Sequence, residues 1–226
     1  MKRISVLLSL LSVLVVAGTG SAAAQTPESE GAGVVLAVDP VALVAALEAN
    51  PEIAVLPEGL ANISSATPAA GQEGDPLAVS LASLLPTVGT VTMGFQTNPA
   101  IVPGLVSTAS LTYIVTDSEI SGDVLAEFEE RLRQDLSATD DPTIEASVAM
   151  IQVAGTDAVG IKVITTTGGI VALAQLVAVP VGNTLVVSLI LSASQDEVDE
   201  ATVLELTSNL ALAGIEHLGA VAAGAI

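Results

Sequence analysis

Residues 144 to 192 read IEASVAMIQVAGTDAVGIKVITTTGGIVALAQLVAVPVGNTLVVSLILS, and this stretch decides the fold. Turn residues recur in it at regular intervals: Gly155 to Asp157, Gly168-Gly169, and Pro180 to Asn183. Between them lie runs rich in Val, Ile, Thr and Leu, so the spacing predicts an antiparallel meander. Its most apolar part, Ile170 to Leu191, carries no charge and is long enough to cross a bilayer as a helix, for which about 20 residues suffice. Pro180, Gly182 and Asn183 fall together at its centre, Gln175 interrupts its first half, and β-branched residues abound. A buried hairpin is therefore expected, with arms Ile170 to Val179 and Thr184 to Ser192. In the second arm Leu185, Val187, Leu189 and Leu191 alternate with Val186, Ser188, Ile190 and Ser192, as a sheet with one drier face requires.

Outward from this stretch, the N-terminus explains itself. Lys2 and Arg3 precede an apolar run from Ile4 to Ala17, and a small-residue segment ends Ala22-Ala23-Ala24-Gln25. That is the pattern of a secretory signal peptide, residues 1–24, cleaved after Ala24. Removing it leaves roughly 200 of the 226 residues, enough for one large domain or two small ones. The chain has no cysteine, so stability must come from its core without disulfides. Ala and Val dominate that core, and only Phe95, Phe128 and Tyr113 are aromatic.

The charge is lopsided. Beyond the leader, Arg131, Arg133 and Lys162 stand against 25 acidic residues. Phosphate backbones are repelled and there is no aromatic stacking platform, which argues against nucleic acid as a partner. Anionic membrane surfaces are disfavoured for the same reason, and no stable insertion of the mature chain is expected.

Between leader and meander the chain divides as follows. Residues 25–76 form an N-terminal segment with one short helix, capped by Asp39, begun by Pro40 and stopped by Asn50-Pro51, and then a linker rich in Pro, Gly and Ser from Ser64 to Pro76. Residues 77–214 form an α+β domain. In it Val88 to Phe95 and Leu105 to Thr116 read as strands. A helix from about Ser121 to Leu136 follows, with Val124, Leu125, Phe128, Leu132 and Leu136 on its apolar stripe. Glu127 with Arg131 and Glu129 with Arg133 are spaced four apart in the favourable order. After the meander, Ser194-Gln195-Asp196-Glu197 has the form of a capping box, Val203, Leu206, Leu210 and Ala213 recur at helical spacing, and Gly214 is the expected stop. Residues 215–226 are expected to be a flexible tail. The fold class is thus α+β, an antiparallel sheet of about six strands packed by amphipathic helices in an α/β/α sandwich-like arrangement.

From about residue 88 to 214 this order, with Val153-Ala154-Gly155-Thr156-Asp157-Ala158 at a strand junction, the hairpin at Gly182 and a closing amphipathic helix, resembles the Mog1/PsbP-like group of sandwich domains. Known members of that group include photosystem accessory proteins, a regulator of a nuclear-transport GTPase and secreted bacterial proteins. The resemblance implies a fold and carries over no catalytic residue. The low aromatic content departs from many members.

Chemistry-bearing residues are sparse. There is no cysteine, no Gly-x-Ser-x-Gly elbow and no Ser-x-x-Lys, and His217 is the one histidine, read as complementing carbonyls near a helix end. One histidine cannot furnish a usual zinc set. Asp196, Glu197, Asp199 and Glu200, and separately Asp140-Asp141, are acidic groups without the grammar of a calcium loop. No catalytic, cofactor-binding or metal-ligating residue is singled out. The expected function is that of an exported, acidic, non-enzymatic binding or accessory domain whose partner is a protein or an apolar small ligand. The alternatives are a carboxylate-dependent hydrolase and a membrane-integrated protein spanning at 170–191.

Overall fold

The structure, a computed structural model, describes residues 38–62, 81, 83–98, 100–101, 106–137, 142–195 and 199–224. The expected leader, the linker at 64–76, Asp140-Asp141, Asp196-Glu197 and the last two residues lie outside the described residues.

The quoted stretch forms four strands joined by two-residue turns: β4 (Ile144–Val153), β5 (Thr156–Thr167), β6 (Ile170–Val181) and β7 (Thr184–Ser194). Glycine supplies the positive φ at every turn position that needs it except Ala154. Ala154-Gly155 and Gly168-Gly169 place both central residues at positive φ, the requirement of a type I′ turn. At Gly182-Asn183 only the glycine is at positive φ, the position a type II′ turn reserves for glycine. Ile170 to Leu191 is therefore a hairpin within a sheet and not a helix. No described helix is long and apolar enough to cross a membrane.

Before the meander come helix α1 (Pro40–Ala49), strands β1 (Leu60–Asn62), β2 (Thr87–Thr97) and β3 (Val106–Thr116), and helix α2 (Gly122–Ser137); after it comes helix α3 (Glu200–Gly224). The result is an α+β protein with one seven-stranded sheet in the order β1-β2-β3-β7-β6-β5-β4, antiparallel throughout. β1 is a strand the sequence did not announce, because three residues are too few to show a period. The excursion through α2 carries the chain from β3 to the far edge, and the meander then returns until β7 pairs with β3.

Helices pack on both faces. On one, α1 and α3 bury Val91, Met93 and Phe95 of β2, Leu111 and Tyr113 of β3, and Val186 and Ile190 of β7. On the other, α2 presents Leu125, Phe128 and Leu132 to Val148 of β4 and Val159, Ile161 and Val163 of β5, and Leu81 joins the same cluster. α1 belongs to the first core through Leu43 and Leu47, so the helix at 40–49 packs on the main sheet. The Asp39 carboxylate accepts from the N–H groups of Val41 and Ala42, as a cap should.

Two expectations are corrected. First, the last helix is capped by Asp199, which accepts from the N–H groups of Ala201 and Thr202, while Ser194 ends β7. Second, Gly214 does not stop it: the helix runs to Gly224, with Leu218, Val221 and Ala222 buried along the stretch expected to be a tail. Gly214 is there for contact, since a Cβ at this position would lie 2.8 Å from both terminal methyls of Leu111. The alternation of β7 does give one drier face, and it is the one that carries the serines. Ser188 and Ser192 are buried, whereas Leu189 and Leu191 are half-buried. At Ser188 the cause is α3: its hydroxyl donates to the Thr207 carbonyl at 2.7 Å, whereas the Ser192 hydroxyl is buried without a hydrogen-bond partner.

Candidate binding face

The half-buried leucines lead to the part of the sheet that the helices cover least. On the α2 side, strand register aligns residues into rows across the sheet. One row runs Gln96, Thr108, Leu191, Ala174, Val163, Ala146; the next runs Gly94, Ser110, Leu189, Leu176, Ile161, Val148. At the β4 and β5 end these rows lie under α2 and are apolar, Ile161 and Val163 being buried. Toward β2 the same rows turn to small and polar residues. Gly94, Gln96, Thr108, Ser110, Leu189 and Leu191 are all half-exposed. On β3 this side is buried at Thr112 and Ile114, where Leu81 joins the same cluster, and half-exposed at Thr108 and Ser110.

The local cause is the alternation of β2 itself. From Thr90 to Gln96, Thr90, Thr92, Gly94 and Gln96 alternate with Val91, Met93 and Phe95. Successive side chains of a strand point to opposite faces, so β2 gives its three large apolar side chains to α1 and α3 and its hydroxyls to the other side. Thr92 and Thr112 pair hydroxyl to hydroxyl at 3.0 Å across β2 and β3. The surface so formed is a floor of Leu189 and Leu191 bordered by hydroxyl and amide groups. Its rows hold no titratable side chain. In a chain of net charge −20 this is an uncharged strip. It can offer hydrogen bonds and apolar contact but no acid–base chemistry.

The described residues among those weighed for chemistry in the sequence lie elsewhere and have structural partners. His217 is not at a helix end but midway along the last turns of α3, where its Nδ1 lies 2.8 Å from the Tyr113 hydroxyl; that hydroxyl also lies 3.1 Å from the Gly214 carbonyl. Burial lowers the His217 pKa below the usual imidazole value, opposed by a hydrogen bond to the Asn50 backbone. Burial pushes the Tyr113 phenol far above its ordinary range. This contact ties α3, β3 and the end of α1 together.

Arg131 pairs with Glu127 at 2.7 Å and also donates to Ser83, while Arg133 pairs with Glu129 and Glu130. Lys162 meets Glu200 at 2.8 Å. Hydrogen bonds from the Thr202 side chain and backbone, and then from Ala201, hold the Asp199 carboxyl below its usual range. Of the acidic group at 196–200, the two described members, Asp199 and Glu200, are thus a helix cap and an ion-pair partner. No three His, Cys, Asp or Glu side chains come together among the described residues. Ser107 and Ser192, opposite one another on β3 and β7, bury hydroxyls with no hydrogen-bond partner, at some expense to stability.

No family model and no curated protein matches the chain. Among solved structures it is similar to LpqN of Mycobacterium tuberculosis, described as involved in cell envelope biogenesis. The likeness has a TM-score of 0.35 and 15% sequence identity, and covers 70% of this chain and 78% of that one. A likeness of that degree carries no argument about activity or partner.

Proposed function

We propose that the chain is an exported, non-enzymatic binding domain that uses the half-exposed face of β2, β3 and β7 to hold a protein segment or an apolar small molecule. The single observation that carries this reading is the uncharged strip from Gln96 and Gly94 to Leu191 and Leu189, in which apolar floor and hydroxyl border stand side by side. Such a mixture suits a ligand with an apolar body and a few hydrogen-bonding groups. The acidic surface around it keeps the protein soluble and repels anionic partners. Export rests on the leader, with Lys2 and Arg3 before the apolar run and Ala22-Ala23-Ala24 at its end.

Two measurements test the proposal. N-terminal sequencing of the protein recovered outside the cytoplasm should begin at Gln25; recovery in the cytoplasm with Met1 intact contradicts export. For binding, the mature protein labelled on its backbone amides is titrated with a lipid and peptide extract of the producing cell's envelope. Shifts should concentrate at Gly94, Gln96, Ser110 and Leu189, and Leu189→Arg should abolish them. Shifts confined to the helices, or hydrolysis of an extract component that a carboxylate substitution abolishes, would overturn the reading.

A further inference from the structure

The two edges of the sheet are finished differently. At one, β1 pairs with the end of β2 from Phe95 to Thr97, the start of β2 is bulged between Thr87 and Gly89, and α1 sets Val44 against Gly89. At the other edge lies β4, ten residues with a continuous register against β5 and no proline, lysine or bulge. Among the described residues no strand pairs with its outer side. Natural sheets blunt such edges because a row of free N–H and C=O groups is a template for another strand.

Which groups are free follows from the ladder. The Thr166 N–H donates to the Thr143 carbonyl at 3.1 Å, in the same register as β4 with β5. Antiparallel pairs alternate, so the odd-numbered residues of β4 turn their backbone groups inward to β5, and Ala146, Val148 and Met150 turn theirs outward. The two faces of the strand also differ. Ile144, Ala146 and Val148 join the core under α2, and Met150 on the same face is 41% exposed. On the other face Glu145, Ser147 and Ala149 are exposed, because α3 lies over β6 and β7 instead. A strand laid along this edge meets apolar ground on its α2 side and water on the other.

Charge decides what kind of strand that is. Beyond the expected leader the chain has only Arg131, Arg133 and Lys162 as basic residues, and all three are engaged: Arg131 with Glu127, Arg133 with Glu129 and Glu130, and Lys162 with Glu200. Glu145, the one charged residue of β4, has no ion pair of its own among the described residues. The helix packed on β4, α2, carries five carboxylates against two guanidinium groups. A second copy, itself at net charge −20, brings more of the same sign. The strip on β2, β3 and β7 has no charge for a partner to match. A cationic strand is the occupant whose charge complements the β4 edge.

We infer that β4 is a second binding site, at which an extended segment of another protein, with Lys or Arg at alternate positions, adds a strand to the sheet. Its main chain pairs with the outward groups of Ala146, Val148 and Met150. Its apolar side chains extend the α2 core beside Val148 and Met150, and its basic side chains lie on the open face with Glu145. Main-chain pairing supplies affinity, and the alternation of side chains supplies specificity. The site is separate from the strip on β2, β3 and β7 and does not depend on it.

The test uses the mature chain labelled on its backbone amides and a synthetic peptide of about eight residues alternating Lys and Val, a usual strand length. Two comparison peptides accompany it: one with Glu in place of Lys, and the Lys-Val peptide N-methylated at alternate residues, which loses the donors of one edge and keeps its charge. The Lys-Val peptide should slow hydrogen exchange at Ala146, Val148 and Met150 and leave Gly94 and Ser110 unchanged. Its affinity should fall as salt is raised from about 20 to 200 mM. Glu145→Lys should weaken it about fivefold. Ala146→Pro, which removes only an outward N–H and is tolerated at an edge, should abolish binding. Should that variant fail to fold, the N-methylated peptide, which is expected not to bind, tests the same pairing on the unaltered chain. Exchange at β4 that the Lys-Val peptide leaves unchanged, or equal binding of the N-methylated form, overturns strand addition. Equal binding of the Glu-Val peptide overturns the charge assigned to the partner. Protection of the β4 amides in the chain alone, lost on dilution, gives the edge to a second copy and overturns the inference.

Discussion

Within β2, adjacent residues live in different environments. Phe95 and Met93 are sealed beneath α1 and α3, while Gln96 and Gly94, one position along, are half-exposed on the other side. The strand is equally regular on both faces; what differs is whether a helix lands on it. α3 spans the sheet centre and α1 covers its β2 side, whereas α2 lies only over β4 and β5. The α3 side is therefore core from β2 to β6 and open at β4, where Glu145, Ser147 and Ala149 are exposed, while the α2 side is core under α2 and half-exposed at Gly94, Gln96, Thr108 and Ser110. The contrast is local: across β2, β3 and β7 the α3 side is buried, while the α2 side is half-exposed at Gly94, Gln96, Thr108, Ser110, Leu189 and Leu191 and buried at Thr112, Ile114, Leu185 and Val187.

The sharpest way to break this comparison is a pair of truncations at neighbouring positions. Phe95→Ala should cost about 3–5 kcal/mol of unfolding free energy, as large-to-small changes in a packed core do. Gln96→Ala should stay within about 0.5 kcal/mol, the usual range for a surface site. Urea denaturation of both variants measures the gap. Equal costs would mean that both faces are core.

A smaller effect is expected from overfilling the α3 interface. Gly214 touches Leu111 and Val186 so closely that Gly214→Val should destabilise by about 1–3 kcal/mol, although it replaces glycine within a helix. Gly219, which has nothing within 4 Å of a built Cβ, is the control: Gly219→Ala should stabilise by about 0.5–1 kcal/mol. Thermal melts of the two variants should move in opposite directions. Smaller again is the cap that starts α3. Asp199→Ala should cost about 1 kcal/mol, and Ser194→Ala should leave the helix content measured by circular dichroism unchanged.

The smallest effect is one of pH. Because the folded-state pKa of His217 is depressed by burial, the unfolded chain takes up that proton first as pH falls. The corresponding stability is complete above the unfolded value of about 6.5 and is lost as pH drops below it toward the folded value. His217→Gln should flatten that part of the profile of melting temperature against pH, leaving the carboxylate-driven loss at lower pH in place.

Much of this architecture was legible in the chain. The meander was legible because Gly155, Gly168, Gly169 and Gly182 supply the positive φ that two-residue turns require. α2 was legible because its buried Leu125, Phe128 and Leu132 recur at helical spacing, with Glu127 and Arg131 one turn apart. The end of α3 was not, since Gly214 carries the local signature of a helix stop and its role as a contact residue depends on Leu111, far away in sequence. Nor was the dry side of β7. Two serines on one face and four aliphatic residues on the other point the wrong way until α3 supplies the Thr207 carbonyl as a partner.

The candidate face stands in between. The alternation from Thr90 to Gln96 shows that β2 has a polar side. That this side borders Leu189 and Leu191, and that α2 stops short of it, is a matter of strand order and helix placement that no local pattern encodes. His217 shows the same limit: its partners Tyr113 and Asn50 come from other elements.

The central claim, that the strip of Gly94, Gln96, Thr108, Ser110, Leu189 and Leu191 is accessible while the opposite side of β2, β3 and β7 is sealed, is tested most directly by thiol labelling in this cysteine-free chain. Single variants Ser110→Cys and Ala109→Cys place a thiol on either side of the same strand. The first should react with a maleimide at close to the rate of an unfolded control and be slowed by the envelope extract; the second should react only at the rate of global unfolding. Equal protection of both thiols, or labelling of Ser110→Cys that no extract component slows, would contradict the account.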